Sequence, residues 1–276
     1  MACRVALFQT NSGIDPARNA EALVAAAANA AAGGAAMLFT PEMSGLLDRD
    51  GARADRHLRA EADDLVLLAA CEAAARHGLW IQLGSLALRR DNRRLANRAF
   101  LIDDAGAIRA RYDKLHLFDV DLPTGESWRE SARYAPGDGA VLADTPAGRL
   151  GLSICYDLRF PALYAALAAQ GAELFSVPSA FTVTTGRAHW HVLLRARAIE
   201  AGAFVVAAAQ TGRHEDGRET FGHSLVVDPW GEVLLDMGSG PGLGFATIDL
   251  TRLHDVRARL PALAHRRAID SVAHAQ

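Results

Sequence analysis

The stretch Arg4–Thr10, RVALFQT, precedes a helical run that opens at Pro16 and closes at Gly33-Gly34, and then comes Ala36–Thr40, AMLFT. Strand, helix and strand in so short a span is a βαβ unit, which crosses over right-handed and pairs its strands in parallel. The pattern recurs with Glu61–His77 as a helix ending at Gly78 and Leu79–Leu88 as a strand. Asn97–Asp103 and Ala107–Asp113 read as a hairpin around Asp104-Ala105-Gly106, with glycine where positive φ is needed. Further on lie a strand at Arg149–Ile154, a helix after Pro161, a strand at Glu173–Pro178, a helix at Arg187–Ala201 and a strand at Phe204–Ala209. Leu225–Pro229 and Val233–Asp236 form a second hairpin around Trp230-Gly231, and Phe245–Leu250 is a last strand. No Pro/Gly/Ser-rich linker divides the chain, so the expectation is one α/β domain over residues 1–276, with a polar extension over about 251–276.

Composition narrows the function. The 276 residues carry 29 Lys+Arg against 32 Asp+Glu, a net charge of −3, which leaves no basic excess for a phosphate backbone. No run approaches the ~20 apolar residues of a membrane span. Cys3, Cys71 and Cys155 are odd in number and far apart, which argues against a disulfide framework or a structural zinc site. The expected protein is therefore soluble and cytoplasmic, acts on a small molecule, and binds neither nucleic acid nor membrane.

Cys155 is the sharpest chemical signal. It follows the apolar run Leu150–Ile154 and precedes a turn into the helix that Pro161 starts, a geometry that lifts a side chain out of a sheet beside free backbone N–H groups. A thiol with an ordinary pKa near ~8.5 needs a base or a cation beside it. Glu42, just past the second strand, and Lys114, just past the first hairpin, supply both, and the carboxyl ends of parallel strands converge on one crevice. A carboxylate can move the thiol proton and an ammonium can steady an oxyanion, which is an acyl-transfer kit without a metal. His223 and Ser224, as neighbours on a strand, face opposite sides and form no relay. The glycines at 238, 240, 242 and 244 lack the Gly-Lys-Ser/Thr of a phosphate loop and read as a loop before a strand. Arg195 and Arg197 on the Arg187–Ala201 helix either reach a partner subunit or line a solvated face.

Three motifs, Pro41-Glu42-Met43, Tyr112-Asp113-Lys114-Leu115-His116-Leu117-Phe118 and Gly151-Leu152-Ser153-Ile154-Cys155-Tyr156-Asp157-Leu158-Arg159-Phe160-Pro161, resemble those of the nitrilase (carbon–nitrogen hydrolase) superfamily. The resemblance covers nearly the whole chain. It implies a four-layer α-β-β-α sandwich whose subunits pair across their outer helices, hence a homodimer or larger homo-oligomer. It assigns Glu42 as general base, Lys114 as the lysine and Cys155 as nucleophile, with no cofactor and no metal. It also implies a second glutamate ahead of Pro136-Gly137-Asp138; Glu130 fits best and Glu126 is the runner-up. The mechanism implied is attack by Cys155, an oxyanion held by Lys114 and the Tyr156 N–H, loss of ammonia, and hydrolysis of a thioester.

Pro178-Ser179-Ala180-Phe181, Gly186–Trp190, Leu193–Glu200, and Ala208–His214 with Gly222–Gly231 resemble the branch acting on deaminated glutathione. His191 is a departure, since that branch usually carries glutamate there. The implied substrate is a keto-acid amide with an anionic end, lying against Phe181 and clamped by Arg159. Arg159 could instead brace the turn by pairing with Asp157. The same residues also suit a nitrilase or an N-carbamoyl amino acid amidohydrolase, and a catalytically silent scaffold is the alternative of another class.

Overall fold

The computed structural model describes residues 2–90, 94–122, 125–269 and 271–274. Its first half runs β1 (Ala2–Gln9), α1 (Pro16–Ala32), β2 (Met37–Phe39), α2 (Gly51–Ala54), α3 (Leu65–His77), β3 (Trp80–Arg89), β4 (Leu95–Ile102), β5 (Ile108–Asp113), β6 (Asp119–Asp121) and β7 (Ser127–Arg129). The second half runs β8 (Leu142–Thr145), β9 (Gly148–Leu152), α4 (Pro161–Ala169), β10 (Leu174–Ser176), α5 (Val183–Ala201), β11 (Phe204–Ala207), β12 (Thr211–Arg213), β13 (Glu219–Phe221), β14 (Leu225–Val227), β15 (Val233–Asp236), β16 (Gly242–Asp249) and α6 (Leu250–Arg259).

Among the described residues these strands make two six-stranded sheets, in the orders β16-β1-β2-β3-β4-β5 and β15-β14-β11-β10-β9-β8, and two small ribbons, β6-β7 and β12-β13. In the first sheet β1, β2 and β3 are parallel, and two antiparallel steps through β4 bring β5 back to the same direction. In the second, β9, β10 and β11 are parallel. Glu42 and Lys114 thus leave the same end of one sheet, while Cys155 and Phe181 leave the parallel strands of the other.

Alternation along β1 sorts its side chains between two cores. Val5 and Leu7, with Met37, Phe39 and Leu101, turn inward against the second sheet. Ala6, with Leu38, Ile81 and Phe100, faces outward beneath α1 and α3. Those helices meet the sheet through small residues, Ala26, Ala27 and Ala30 of α1 and Ala70, Ala73 and Ala74 of α3, so they lie close to it. On the far side α4 and α5 bury Leu163, Leu167, Trp190, Leu194 and Ala198. The result is the four-layer α-β-β-α sandwich that the motifs implied.

Several boundaries differ from the sequence reading for local physical reasons. The helix expected from Glu61 begins at Leu65, because Asp64 takes the N–H groups of Val66 and Leu67 at 3.0 and 2.9 Å as an N-cap. The helix expected from Arg187 begins at Val183 behind a Thr182 cap. The strand expected to reach Ile154 ends at Leu152, and that expected from Phe245 starts at Gly242. The extension expected after Leu250 opens with α6, whose Leu253 joins the core between the sheets' residues and the outer helices and whose Val256 is buried near the end of α5. Gly106 has the anticipated positive φ, +80°. Arg197 is neither a solvated nor a free residue: it is 5% exposed, with Nε on the Leu158 carbonyl at 3.0 Å and Nη1 on Glu200 at 2.8 Å.

Candidate active site

Glu42 follows β2 and is 5% exposed. Its Oε1 accepts from Lys114 Nζ and Asn97 Nδ2, both at 2.9 Å, and its Oε2 accepts from the Ala180 N–H at 3.0 Å. The turn that holds it is tight. Gly84 of β3 lies so close that a Cβ there would come within 2.0 Å of the Thr40 carbonyl oxygen, so only glycine lets this turn seat. Gln210 Nε2 secures the Glu42 carbonyl at 2.9 Å.

Lys114 follows β5 and is 2% exposed; its ammonium lies 2.9 Å from both Glu42 Oε1 and Glu130 Oε2. Glu130 sits past β7, where Oε2 also accepts from the Phe118 N–H at 2.7 Å and Oε1 accepts from Asn97 Nδ2 at 3.0 Å. Glu126, the other candidate, is exposed at the end of the β6-β7 ribbon and does not line the cavity. Asn97, which the sequence reading missed, bridges the two glutamates through one amide nitrogen. Its burial, which marks it as a bonded polar group, shows only in the fold, where it is 1% exposed.

Cys155 opens the short 3₁₀ turn Cys155–Arg159 with φ +49°, a left-handed conformation that costs a non-glycine residue about 1–3 kcal/mol. Its N–H is bonded to the Pro178 carbonyl at 2.9 Å. Asp157 holds the turn in place. Fully buried, it accepts from the Ile154 N–H at 2.9 Å, the Tyr112 hydroxyl at 2.7 Å and the His116 N–H at 3.0 Å, with His116 Nδ1 at 2.7 Å. The His116 ring stacks on Phe160 at 3.6 Å. One carboxylate therefore ties the Cys155 turn to the Lys114 segment.

That arrangement disposes of the alternative for Arg159. Asp157 is committed elsewhere, and among the described residues no carboxylate pairs with Arg159. Its guanidinium lies 5.6 Å from the Phe181 ring centre and 5.8 Å from that of Tyr156, with Nη1 3.2 Å from His189 Nδ1. Cys155, Glu42, Lys114, Tyr156, Arg159 and Phe181 all line one open cavity of about 250 Å³, whose rim also carries Arg49, Arg129, Arg133 and Arg218. His191 does not line it; its Nε2 is 2.9 Å from Asp236. His223 and Ser224 form no relay either, and both precede β14 rather than lying on it.

Electrostatics complete the picture. Burial would raise the Glu42 carboxyl, but the Lys114 charge and hydrogen bonds from Cys155, Lys114 and Asn97 outweigh it and hold it below the ordinary range. Burial would lower the Lys114 ammonium, yet Glu130 and Glu42 raise it well above its ordinary value. Burial and then the Glu42 charge push the Cys155 thiol well up, and Lys114 only partly offsets them. At rest the site therefore holds a carboxylate, an ammonium and a protonated thiol that donates to Glu42.

The fold and this cluster are those of an enzyme hydrolysing non-peptide carbon–nitrogen bonds. The chain belongs to the carbon–nitrogen hydrolase family, whose model matches residues 4–258. It is similar to the deaminated glutathione amidase of Yersinia enterocolitica, 44% identical over 87% of this chain and 84% of that protein. The human deaminated glutathione amidase is 42% identical over 95% of this chain and 82% of its own length. Among solved structures, the Caenorhabditis elegans NitFhit protein superposes with a TM-score of 0.89 at 39% identity, covering 96% of this chain and 65% of that one.

Proposed function

We propose that this enzyme cleaves the amide of deaminated glutathione through a thioester on Cys155. The observation that carries the proposal is the Glu42–Lys114–Cys155 cluster on a cavity ringed by arginines. The names of its relatives support the substrate.

In the first step Cys155 Sγ attacks the amide carbon as Glu42 takes its proton, and the S–C bond forms. Lys114 has two of its three donors engaged by Glu42 and Glu130, which leaves one for the oxyanion beside the Tyr156 N–H. Glu42 then passes the proton to the leaving nitrogen as the C–N bond breaks. A water deprotonated by Glu42 attacks the thioester, the S–C bond breaks, and the acid departs with the thiol reprotonated. Glu130 and Asn97 act as positioning residues that fix Lys114 and Glu42.

The leaving group follows from the substrate. Deaminated glutathione is a five-carbon keto acid joined through its distal amide to cysteinylglycine, so its hydrolysis gives the dipeptide and 2-oxoglutarate. Ammonia is the product only where the amide is primary, as in the ω-amide of a keto acid. Both candidates end in an α-keto carboxylate, which suits the Arg159 guanidinium, since no carboxylate among the described residues pairs with it.

The deciding assay compares deaminated glutathione, a keto-acid ω-amide, an N-carbamoyl amino acid and a nitrile on the purified enzyme. The highest kcat/KM is expected with the first, read as 2-oxoglutarate. No turnover of the first with turnover of another would overturn the substrate, and no turnover of any would favour a silent scaffold.

We also infer a cytoplasmic homodimer. Three unpaired cysteines suit a reducing compartment. Val192, Ile199 and Trp230, exposed at 67%, 45% and 58% on α5 and the β14–β15 turn, offer an apolar face for a second copy. A monomeric mass by sedimentation would remove the dimer.

A further inference from the structure

On the outer side of the second sheet, away from the cavity, His191 of α5, His223 before β14 and Asp236 of β15 converge. Their nearest ligand atoms lie within 4.8 Å of one another. Both imidazoles face the same carboxylate: His191 Nε2 is 2.9 Å from Asp236 Oδ2, and His223 Nδ1 is 2.8 Å from Oδ1. None of the three lines the active-site cavity, and the mechanism uses none of them.

We propose that His191, His223 and Asp236 form a binding site for one divalent transition-metal ion of the zinc class. Metal–ligand bonds of roughly 2.0–2.2 Å to imidazole nitrogen and carboxylate oxygen put tetrahedral donors about 3.3–3.5 Å apart, so each His–Asp236 pair opens by about half an ångström, and donors near the 4.8 Å limit of the cluster close by somewhat more than one, for an ion to enter. Two imidazoles and a carboxylate without thiolate suit Zn²⁺, Co²⁺ or Ni²⁺, whereas Cu⁺ prefers sulfur and Mg²⁺ and Ca²⁺ prefer all-oxygen sites.

The ligands are held as a metal site needs them. His223 has φ +54°, left-handed for a non-glycine, and is kept there by its N–H on the Gly238 carbonyl at 2.6 Å and by its own carbonyl, which takes the Trp190 indole N–H at 2.7 Å. Its ring stacks on Phe221 with centres 4.4 Å apart. The Gly238 N–H donates to Asp236 Oδ1 at 2.9 Å, an outer bond of the kind that orients a ligating carboxylate. The side chains remain 36%, 27% and 34% exposed, which leaves solvent to fill the other coordination positions.

The test uses the full-length, untagged Cys155→Ala chain, so that the active-site thiol cannot compete for metal and no turnover is needed. After stripping with a chelator it is titrated with Zn²⁺ against a chromogenic competitor, and separately with Co²⁺. One ion per chain is expected, with visible Co²⁺ ligand-field bands and no thiolate charge-transfer band. His191→Ala and His223→Gln should each weaken Zn²⁺ binding at least about 10- to 100-fold while circular dichroism stays unchanged. Absence of saturable binding, or binding that both variants leave intact, would overturn the site. Neither result depends on which amide the enzyme cleaves.

Discussion

The Tyr112 hydroxyl donates to Asp157 Oδ2 at 2.7 Å, so the strand that carries Lys114 is bonded directly to the turn that carries Cys155. Tyr112 is 1% exposed, and burial together with the Asp157 charge pushes its hydroxyl far above the ordinary range, so it stays a donor at every working pH. A hydrogen bond to a buried charge is worth about 1.5–3 kcal/mol. Tyr112→Phe should lose about that much stability in denaturant titration. It should lower kcat more than it raises KM, because the reacting groups drift apart while the cavity wall remains. Unchanged kcat in a folded variant would show that the tie is structural only.

Thiol reactivity follows from the resting protonation. A protonated Cys155 reacts with iodoacetamide only when Glu42 removes its proton, whereas Cys3 and Cys71, also raised by burial, have no carboxylate hydrogen-bonded to the thiol, Asp103 and Glu61 acting on Cys71 only through their charge. Mass spectrometry at neutral pH should find Cys155 labelled well before the other two, and Glu42→Gln should abolish that preference. Equal labelling of all three thiols in the wild-type chain would refute the carboxylate's role as base.

Stability against pH carries the same signature. Glu42 is depressed from 4.5, so its contribution is present above 4.5 and fades as pH falls through the lower folded value. Lys114 is raised from 10.5, so its contribution is complete below 10.5 and fades only above it. Cys155 is raised from 9.0, so stability begins to fall above 9.0, where the unfolded thiol ionises and the folded one does not. Thermal melts should therefore hold level for these groups from about pH 5 to 9, and Cys155→Ala should make the alkaline fall above 9.0 shallower, while Cys3 and Cys71, also raised from 9.0, keep its onset in place. An equally steep alkaline fall in both proteins would contradict the raised pKa of the Cys155 thiol.

Arg159 has no carboxylate partner among the described residues, and replacing it should affect binding rather than chemistry. Arg159→Lys should raise KM for a keto-acid amide about 10-fold or more, since a bidentate pair to a carboxylate is worth about 1.5–3 kcal/mol beyond a point charge at the wrong reach. A neutral amide of similar size should lose nothing. Equal losses on both substrates would mean that Arg159 only packs against Phe181 and Tyr156.

Strand–helix alternation from Arg4 to Thr40 announced an α/β fold with parallel strands, the four layers following only from the motif resemblance, and the position of Cys155 between an apolar strand and Pro161 announced the turn that exposes it. Both are local: periodicity and one proline suffice. Asn97 was hidden because its partners stand far off along the chain at Glu42 and Glu130, and no local rule says which polar residue in a strand faces inward. Asp157 was read only as a partner for Arg159, since Tyr112 lies on a strand of the other sheet and His116 in the segment that follows it. The β6-β7 ribbon that carries Glu130 into place has strands of three residues each, too short for alternation to register. Arg197 looked like a surface residue because nothing local places the Leu158 carbonyl beside its helix.

The left-handed backbone at Cys155 reverses an ordinary ranking of side chains. Glycine adopts that conformation freely, while alanine crowds its own carbonyl at about 1–2 kcal/mol, so Cys155→Gly should unfold later than Cys155→Ala. Sulfur at this spot is maintained against a standing thermodynamic slope. In a lineage released from the need for turnover, drift would run downhill toward glycine, and a glycine directly after the β9 segment would mark a retired copy of the fold.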